Sequence, residues 1–392
     1  MAQRVAVVGG GAVGSSVAYF LASHPRFRGS VVVIERDPSY RYASSALSAS
    51  AIRQQFSTPV NIEISRFGID FLRHIGAHLS VGGDRADVGL AEPGYLFLAT
   101  AAGVPVLEQN HRVQREHGVD VTLLTPGQLA RHFPWMNVGS IAAASLGLSG
   151  EGWFDGYALL QAFRRKALSL GVTYTAQAAA GFVRAGRRVT AVTLADGSTV
   201  PCDAAVNAAG PWAAKVAAML EIDLPVRARR RCVFLFACRT GLPGCPLVID
   251  PSGIWFRADG PNFLTGAPPR SGEPDPDDAP LDEVDERLFP DRIWPVLAGR
   301  VPAFEAVKVL KSWAGYYEYN TVDHNGIVGP HPAYENVVFA NGFSGHGLQQ
   351  SPAVGRGVAE LIVDGGYRTL DLTPLAFDRL LQGRRLVELN VI

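Results

Sequence analysis

The residues best suited to chemistry are three glycines that follow a short apolar run near the start of the chain. The run Val5–Val8 leads directly into Gly9, Gly11 and Gly14, and a helical pattern begins at Ser15. A strand that ends in this spacing of glycines turns tightly into a helix, whose N-terminal N–H groups bind negatively charged phosphates. The segment therefore predicts a turn that binds the pyrophosphate of a dinucleotide.

An acidic residue at the end of the next strand strengthens this interpretation. A second apolar strand is predicted at Ser30–Ile34 and is followed by Glu35. This is about 20 residues beyond the last glycine, where a carboxylate can accept hydrogen bonds from ribose hydroxyls. A glycine-rich turn without a ligand is the alternative, and the two flanking strands and the acid disfavour it. These residues alone leave NAD and FAD open.

Three further segments favour FAD. Small residues dominate Ser44–Phe56, a predicted buried strand ends in Ala-Ala-Gly within Ala204–Trp212, and Val337–Gln350 joins a strand to a glycine-rich turn. Small residues let the backbone pass close to a large flat ring. A helix predicted at Pro352–Val363 follows the last turn, and its N-terminus would stabilise the negative charge that reduced flavin carries around N1. Taken alone, Ser44–Phe56 could also be the start of an ordinary helix.

Length and composition describe the scaffold that must position these residues. With 392 residues the chain is too long for one ordinary core, so two joined domains are expected. The 36 basic and 36 acidic residues balance, which gives no global field for nucleic acid or anionic lipid. Four cysteines without zinc-site spacing are expected to be reduced thiols of a cytoplasmic protein, and no metal site is expected. No apolar run is long enough for a signal peptide or a transmembrane helix.

Four motifs together carry a family resemblance over essentially the whole chain. They are GGGAVG at 9–14, ER at 35–36, NAAGPW at 207–212 and GFSGHG at 342–347. With these motifs the chain resembles the D-amino-acid oxidase/sarcosine oxidase superfamily of FAD-dependent enzymes. Within that superfamily it is similar to a branch that contains a mitochondrial FAD-dependent oxidoreductase domain protein. Bacterial D-amino-acid dehydrogenases share the layout more loosely.

The resemblance implies a fold and a division of the chain. The fold class is α/β (α+β overall), with a Rossmann-type FAD-binding domain and a second, mostly antiparallel β-sheet substrate domain. The FAD-binding domain is expected at 1–85, 150–220 and 320–392. The substrate domain is expected at 86–149 and 221–319, where its sheet would cover the flavin.

The resemblance also assigns contacts to the cofactor. It places Gly9, Gly11 and Gly14 at the pyrophosphate and Glu35 at the adenosine ribose. The other positions expected to contact FAD are Ala12, Val13, Arg36, Ser44, Ser45, Ala179, Gly210, Trp212, Gly342, Phe343, Ser344, Gly345, His346, Gly347 and Leu348, with Gly326 and Val328 nearby.

Three departures from the family pattern bear on the chemistry. Relatives that bond the flavin covalently use a cysteine near Ala314 or a histidine within Ser44–Arg53, and neither is present, so FAD is expected to be non-covalent. Trp255 stands where sarcosine oxidases place a lysine that promotes reaction with oxygen. Tyr317 stands near the position of a carboxylate-binding arginine in D-amino-acid dehydrogenases. The electron acceptor therefore stays open among oxygen, a quinone and an electron-transfer protein.

The catalytic candidates follow from what amine oxidation requires. Hydride transfer from the C–H beside nitrogen to flavin N5 needs an oriented, desolvated amine and a holder for its carboxylate. Arg53 and Arg257 are the candidate holders, because a guanidinium forms forked pairs with carboxylates; each could instead be a surface residue or a flavin contact. Trp255 and Tyr317 lie on predicted strands that border the site, but which face of the second strand meets the flavin is undecided. His346 could act as a general base, although a flavin contact or a helix cap fits its turn better.

Two charged segments are predicted to lie on the surface. The basic run 227–231 could attract anionic substrates, although a solvated strand is the simpler interpretation. The acidic, proline-rich segment 272–280 is predicted to be a loop.

Two classes of function remain. The first is an FAD-dependent oxidoreductase that oxidises the C–N bond of an amino acid or N-alkyl amino acid by hydride transfer to flavin N5. The second is a flavoprotein retained mainly for a binding or assembly role in a respiratory or electron-transfer complex. An NAD-dependent dehydrogenase is disfavoured, because the turn at 342–347 would then have no role.

Overall fold

The computed structural model describes residues 3–270 and 272–389. The strands in these ranges are β1 (Gln3–Val8), β2 (Gly29–Ile34), β3 (Ala51–Ile52), β4 (Tyr95–Ala99), β5 (Val121–Leu124), β6 (Ala143–Gly147), β7 (Gly152–Trp153), β8 (Thr173–Thr175), β9 (Ala179–Ala185), β10 (Arg188–Leu194), β11 (Thr199–Pro201), β12 (Ala204–Asn207), β13 (Val226–Cys238), β14 (Leu247–Ile249), β15 (Trp255–Asp259), β16 (Asn262–Gly266), β17 (Val307–Asn320), β18 (Ile327–Pro330) and β19 (Val337–Asn341).

The α-helices in the same ranges are α1 (Ala12–Ser23), α2 (Ser44–Leu47), α3 (Pro59–Arg73), α4 (Ile75–Leu79), α5 (Val104–Glu116), α6 (Pro126–His132), α7 (Gly156–Ser169), α8 (Ala213–Ala218), α9 (Trp294–Arg300), α10 (Gly347–Asp364) and α11 (Asp378–Leu381).

The first sheet has six strands in the order β18-β19-β12-β1-β2-β8. β1 pairs in parallel with β2 and β12, and α1 packs on α7 and α10 across one face. Both faces of the sheet are covered, which explains why β1 is a continuous apolar run rather than an alternating one. The carboxyl ends of β1, β2 and β12 meet at one edge, where ligands bind in open parallel sheets.

The second sheet has eight strands in the order β17-β13-β16-β15-β14-β4-β6-β5. Its neighbours pair antiparallel except β14 and β4, which are parallel. A hairpin of β10 and β11 turns at Asp196-Gly197 and lies in a separate three-stranded sheet with β9. The predicted combination of a Rossmann-type sheet and a mostly antiparallel second sheet is confirmed.

The two large sheets draw on the segments that the sequence analysis separated. The six strands of the first sheet lie within 1–85, 150–220 and 320–392, and all eight strands of the second sheet lie within 86–149 and 221–320. β17 crosses the expected division by a single residue, Asn320, and joins the two units directly. The boundaries themselves stay a prediction.

Helix α10 begins earlier than predicted. The sequence analysis placed its start at Pro352, since proline favours the first turn of a helix, but the helix begins at Gly347. Proline cannot donate to the carbonyl of Leu348 four residues before it. The hydroxyl of Ser351 donates to that oxygen instead at 2.9 Å, so the helix continues through the proline.

Three further properties of the described residues concern membrane helices, metal ligands and thiols. No helix among them is long and apolar enough to cross a membrane. The same residues contain no group of three or more histidine, cysteine or acidic side chains that could hold a metal ion. All four cysteines lie within the described ranges and are free thiols.

Candidate active site

A cavity of about 630 Å³ lies between the two large sheets. Its wall includes the carboxyl ends of β1, β2 and β12 from the first sheet, and parts of β13, β15 and β17 from the second. A volume of this size falls in the range of natural cofactor and ligand sites.

The first glycine-rich turn is built by close backbone packing. Gly9 has φ +100°, and a Cβ there would lie 2.4 Å from the carbonyl oxygen of Ala208. A Cβ at Gly14 would lie 1.9 Å from the carbonyl oxygen of Gly9, so only glycine allows α1 to pack so near the end of β1. Gly11, Ala12 and Val13 line the cavity, whereas Gly14, which the resemblance places at the pyrophosphate, lies behind them and allows α1 to pack on β1.

Glu35 holds this turn in place from the end of β2. Its Oε2 accepts from the N–H of Gly10 at 2.7 Å, and its Oε1 accepts from the N–H of Asp37 at 2.8 Å. Burial raises the pKa of Glu35, and the two backbone hydrogen bonds oppose that rise. The carboxylate lines the cavity as predicted and also fixes the geometry of the glycine turn.

Serines and a stacked pair continue the wall beside the first turn. Ser45 Oγ accepts from the N–H of Ala12 at 3.2 Å. The guanidinium of Arg36 lies 3.7 Å from the ring centroid of Trp212, which packs edge-on against Tyr316. A flat, partly cationic surface of this kind is suited to contact with an aromatic or anionic ligand.

The second glycine-rich turn is tied to the end of β17. The N–H of Gly342 donates to Glu318 Oε2 at 3.0 Å, and the N–H of Ser344 donates to the carbonyl oxygen of Glu318 at 3.0 Å. Ser344 Oγ in turn accepts from the N–H of Asn320 at 2.9 Å. The first residues of α10 therefore present their N–H groups at a fixed place in the cavity wall, where negative charge is stabilised.

Glycine is required at several points of this second turn. A Cβ at Gly345 would lie 2.5 Å from the ring of Tyr317, and a Cβ at Gly347 would lie 2.7 Å from Glu318 Oε1. Phe343 is 1% exposed, does not line the cavity, and has its ring where a Cβ of Gly326 would lie. Phe343, with Gly326 beside it, therefore anchors the turn from behind rather than contacting a ligand.

Arg53 is a buried cation in the cavity wall. It is 2% exposed, and its backbone N–H donates to Gln349 Oε1 in α10 at 2.8 Å. The guanidinium lies 4.4 Å from the ring centroid of Phe56 and 5.3 Å from that of Phe97. Aromatic neighbours hold the group in place and reduce its contact with water, which strengthens its attraction for an anion.

His346 lies directly against Arg53. The Nη2 of Arg53 is 3.0 Å from Nε2 of His346, and since a guanidinium can only donate, Nε2 is the acceptor. Burial lowers the pKa of His346 to about 3, and the positive charge of Arg53 contributes. The imidazole is therefore neutral at physiological pH.

Tyrosine and tryptophan side chains complete this part of the wall. Tyr95, Trp255 and Tyr317 all line the cavity. Burial raises the pKa of Tyr317, and the positive charges of Arg231 and Arg53 lower it. Tyr317 therefore lies within the influence of two cations.

Two buried carboxyl groups support the site. Glu318 lines the cavity, and burial raises its pKa to about 8. Glu151 is fully buried and accepts from the N–H of Gln55 at 3.0 Å and from its Nε2 at 2.7 Å. Burial raises the pKa of Glu151 to about 7. Glu151 fixes the segment that follows Arg53 and does not itself line the cavity.

Arg257 is directed elsewhere. Its Nη2 and Nε both donate to the carbonyl oxygen of Ala49, at 2.8 and 3.2 Å, and its Nη1 donates to the backbone of Ala258. The side chain is not part of the cavity wall. Arg257 therefore positions Ala49 in the small-residue segment, and we do not retain it as a carboxylate holder.

Most of the predicted site residues meet in this one cavity. Those that line it are Gly9, Gly11, Ala12, Val13, Glu35, Arg36, Ser44, Ser45, Arg53, Ala179, Gly210, Trp212, Trp255, Tyr317, Ser344, Gly345, His346, Gly347 and Leu348. Those outside its wall are Gly14, Arg257, Gly326, Val328, Gly342 and Phe343.

Sequence reasoning did not single out Tyr95 or Gln349, which both line the wall, and it undervalued Arg231. Tyr95 follows an ordinary apolar pattern and gave no signal, and Gln349 was noted only as part of the segment Val337–Gln350. Arg231 belongs to the basic run taken for a solvated strand, yet it lines the cavity and its side chain is 14% exposed. Arg231 is the last arginine of the run and directly precedes the apolar segment 232–236, and this position was the signal that could have identified it.

Comparison with known proteins places the fold and site in a family. Residues 4–361 match the sequence model of the family DAO, described as FAD dependent oxidoreductase. The chain therefore belongs to the DAO family of FAD-dependent oxidoreductases, whose members use FAD as their cofactor. The resemblance and the cofactor predicted from sequence are confirmed.

Individual relatives span nearly the whole chain. FAD-dependent oxidoreductase domain-containing protein 1 of Xenopus laevis is 48% identical over 424 aligned residues, which cover 99% of this chain and 84% of that protein. Glycine oxidase of Geobacillus kaustophilus is 25% identical over 388 residues and covers 96% of each chain. The crystal structure of L-proline dehydrogenase from P. horikoshii has a TM-score of 0.85 at 25% identity, covering 98% of this chain and 99% of that chain.

The residues of the cavity fit FAD. Gly9 allows the tight backbone turn at the end of β1, and Gly11 to Val13, which line the cavity beside the N-terminus of α1, would hold the pyrophosphate. Glu35 would face the adenosine ribose. The turn Gly345–Leu348, at the N-terminus of α10, would contact the flavin.

Proposed function

We propose that this protein oxidises the C–N bond of an amino acid or N-alkyl amino acid. When bound, FAD supplies the acceptor for the hydride that leaves the carbon beside nitrogen. The protein supplies a site that orients this C–H bond, holds the substrate carboxylate and keeps water away.

The observation that carries the proposal is the buried guanidinium of Arg53 in the cavity wall. It lies among Phe56, Tyr95 and Phe97, and His346 beside it is neutral. A cation that is buried in aromatic surroundings and faces a cavity attracts a compact anion strongly. The carboxylate of an amino acid is such an anion.

His346 is better suited to positioning than to proton transfer. Its Nε2 accepts from Arg53, and its low pKa makes it a poor base at neutral pH. We propose that His346 fixes the orientation of Arg53. A substrate that enters with its amine neutral needs no strong base for hydride transfer.

The relatives support an amine or amino-acid substrate. A glycine oxidase and an L-proline dehydrogenase are each 25% identical over nearly the whole chain. Their names describe one oxidase and one dehydrogenase, so they do not select the electron acceptor. Because Trp255 lines the cavity where sarcosine oxidases have a lysine, we propose that oxygen is a slow acceptor. Rapid return of the visible flavin absorption when the reduced protein is exposed to air would contradict this.

The test is anaerobic reduction of the purified yellow protein by a panel of D-amino, L-amino and N-methyl amino acids. Bleaching of the visible flavin absorption by one class supports the proposal and names the substrate type. Absence of bleaching by every class, in protein whose flavin dithionite reduces, would favour the binding or assembly role. Release of the flavin by acid precipitation would support non-covalent FAD.

A further inference from the structure

The cavity wall contains a second arginine that is already paired with a carboxylate of the chain. Arg231, on β13, donates from Nη1 to Asp275 Oδ1 at 2.8 Å and from Nη2 to Asp275 Oδ2 at 2.9 Å. Two parallel bonds to both oxygens are the geometry by which arginine recognises a free carboxylate. Nη1 also donates to the carbonyl oxygen of Arg230, and this bond orients the guanidinium group.

The partner comes from the loop 272–280, which follows the open edge of β13. β16 pairs with β13 only from Val233 onward, and the loop covers the preceding part through the bridge between Arg229 and Asp277. The side chain of Asp275 is 26% exposed, so water reaches the pair from the loop side. Because solvent screens a partly exposed pair of this kind, it exchanges partners more readily than a fully buried one.

Other contacts hold the loop without Asp275. Asp277 pairs with Arg229 at 3.2 Å, Asp278 pairs with Lys215 at 3.0 Å, and the hydroxyl of Tyr316 donates to the carbonyl of Ala279. The Asp275 side chain can therefore leave Arg231 while the loop keeps its attachments to Arg229, Lys215 and Tyr316.

Arg231 and Arg53 both lie close enough to Tyr317 to act on it. The guanidinium carbon of Arg231 is 5.5 Å from the ring centroid of Tyr317, and the same ring lies within the electrostatic influence of Arg53. Both arginines line the same cavity. A molecule bound along Tyr317 would therefore lie near both guanidinium groups.

We propose that Arg231 is a second carboxylate site and that the substrate is a dicarboxylic amino acid or its N-alkyl derivative. Asp275 occupies this site as an internal substitute until the second carboxylate of the substrate displaces it. The inference rests on the proposed function for the substrate's amine, whereas the binding of a dicarboxylate can be tested without turnover.

The test compares two non-reacting probes, glutarate and butyrate, by their perturbation of the visible spectrum of the FAD-loaded protein. Wild-type protein should bind glutarate about tenfold or more tightly than butyrate, because only glutarate engages both arginines. Asp275→Asn should tighten glutarate binding several-fold and leave butyrate unchanged. Arg231→Gln should remove the preference for glutarate.

Asp277→Asn is the matched control, because it weakens the loop at the neighbouring pair without freeing Arg231. It should leave the affinity for glutarate at the wild-type value. Equal tightening by Asp277→Asn and Asp275→Asn would overturn the proposal, since general loosening of the loop would then explain both. If Arg231→Gln does not fold, the Asp275→Asn comparison decides alone.

The two proposals fail in different ways. Equal binding of glutarate and butyrate by wild-type and Asp275→Asn protein would overturn the second site, even if amino acids bleach the flavin. Preferential binding of glutarate that depends on Arg231 would support the second site, even if no amino acid bleaches the flavin.

Discussion

Nη2 of Arg53 lies 3.0 Å from Nε2 of His346 within the cavity wall. Burial and this neighbouring cation together lower the pKa of His346 to about 3. The ring therefore stays neutral, so that its Nε2 can accept a hydrogen bond from Arg53. This neutral acceptor fixes the orientation of the guanidinium without adding a charge to the cavity wall.

This neutrality predicts that His346 does not set the pH dependence of flavin reduction. The variant His346→Gln retains an acceptor for Arg53. Between pH 5 and 9 we expect its flavin reduction rate to show the same apparent pKa as that of the wild-type protein. Stopped-flow reduction across that range measures it. Loss of an ionisation near the ordinary histidine pKa in the variant would assign His346 the role of base.

Replacing Arg53 should weaken carboxylate recognition specifically. Charge-assisted hydrogen bonds contribute about 1.5–3 kcal/mol, so Arg53→Lys should lower kcat/KM for an amino acid by about 10- to 100-fold. The same substitution should have little effect on the corresponding amine that lacks a carboxylate. Arg257 is also buried but lies outside the cavity wall. Arg257→Lys should therefore leave the ratio of kcat/KM for the amino acid to kcat/KM for the amine unchanged. A parallel fall for both compounds in Arg53→Lys would indicate a general structural role.

Close packing of α1 on β1 predicts that Gly14→Ala is destabilising. The new methyl carbon would lie 1.9 Å from the carbonyl oxygen of Gly9, and overpacking of this kind costs about 1–3 kcal/mol. FAD content should fall with it, because the pyrophosphate turn must move. Gly299→Ala in α9 is the matched control, since no atom lies within 4 Å of its Cβ. Urea unfolding and flavin content measure both, and equal stability of the two variants would refute the packing argument.

Glu318 predicts a dependence of stability on pH. Its pKa is about 8 in the folded protein against a reference value of 4.5, so the folded state binds an extra proton between these values. Its contribution to the free energy of unfolding therefore falls as pH rises from about 4.5 to about 8 and is constant above. Glu318→Gln should remove this part of the slope, which urea midpoints at several pH values would show. An identical pH slope in wild type and variant would contradict the assignment.

Local patterns were sufficient to predict the cofactor and most of the turns that line the cavity. The glycines at 9–14, the acid at 35 and the turn at 342–347 each combine a strand end with a helix start, and that combination is encoded within a few residues. Helix α10 was predicted to begin late because proline usually marks the first turn, whereas Ser351 replaces the hydrogen bond that Pro352 cannot make.

Contacts between distant segments could not be predicted in the same way. Arg53 and Arg257 were equivalent candidates in the sequence, and only the tertiary structure directs Arg257 to Ala49. The two faces of β17 could not be ranked, and Tyr316, Tyr317 and Glu318 all proved to line the cavity. The pair of Arg231 and Asp275 depends on a loop that folds back along the edge of β13, and strand periodicity carries no information about that.

The central claim is tested most directly by single-turnover reduction with an amino acid that carries hydrogen or deuterium on its α-carbon. The anaerobic FAD-loaded protein is mixed with each form, and bleaching of the flavin is followed in time. Breaking of this C–H bond during flavin reduction predicts slower bleaching with deuterium. Absence of bleaching by either form across D-, L- and N-methyl amino acids, in protein whose flavin dithionite reduces, would contradict the claim.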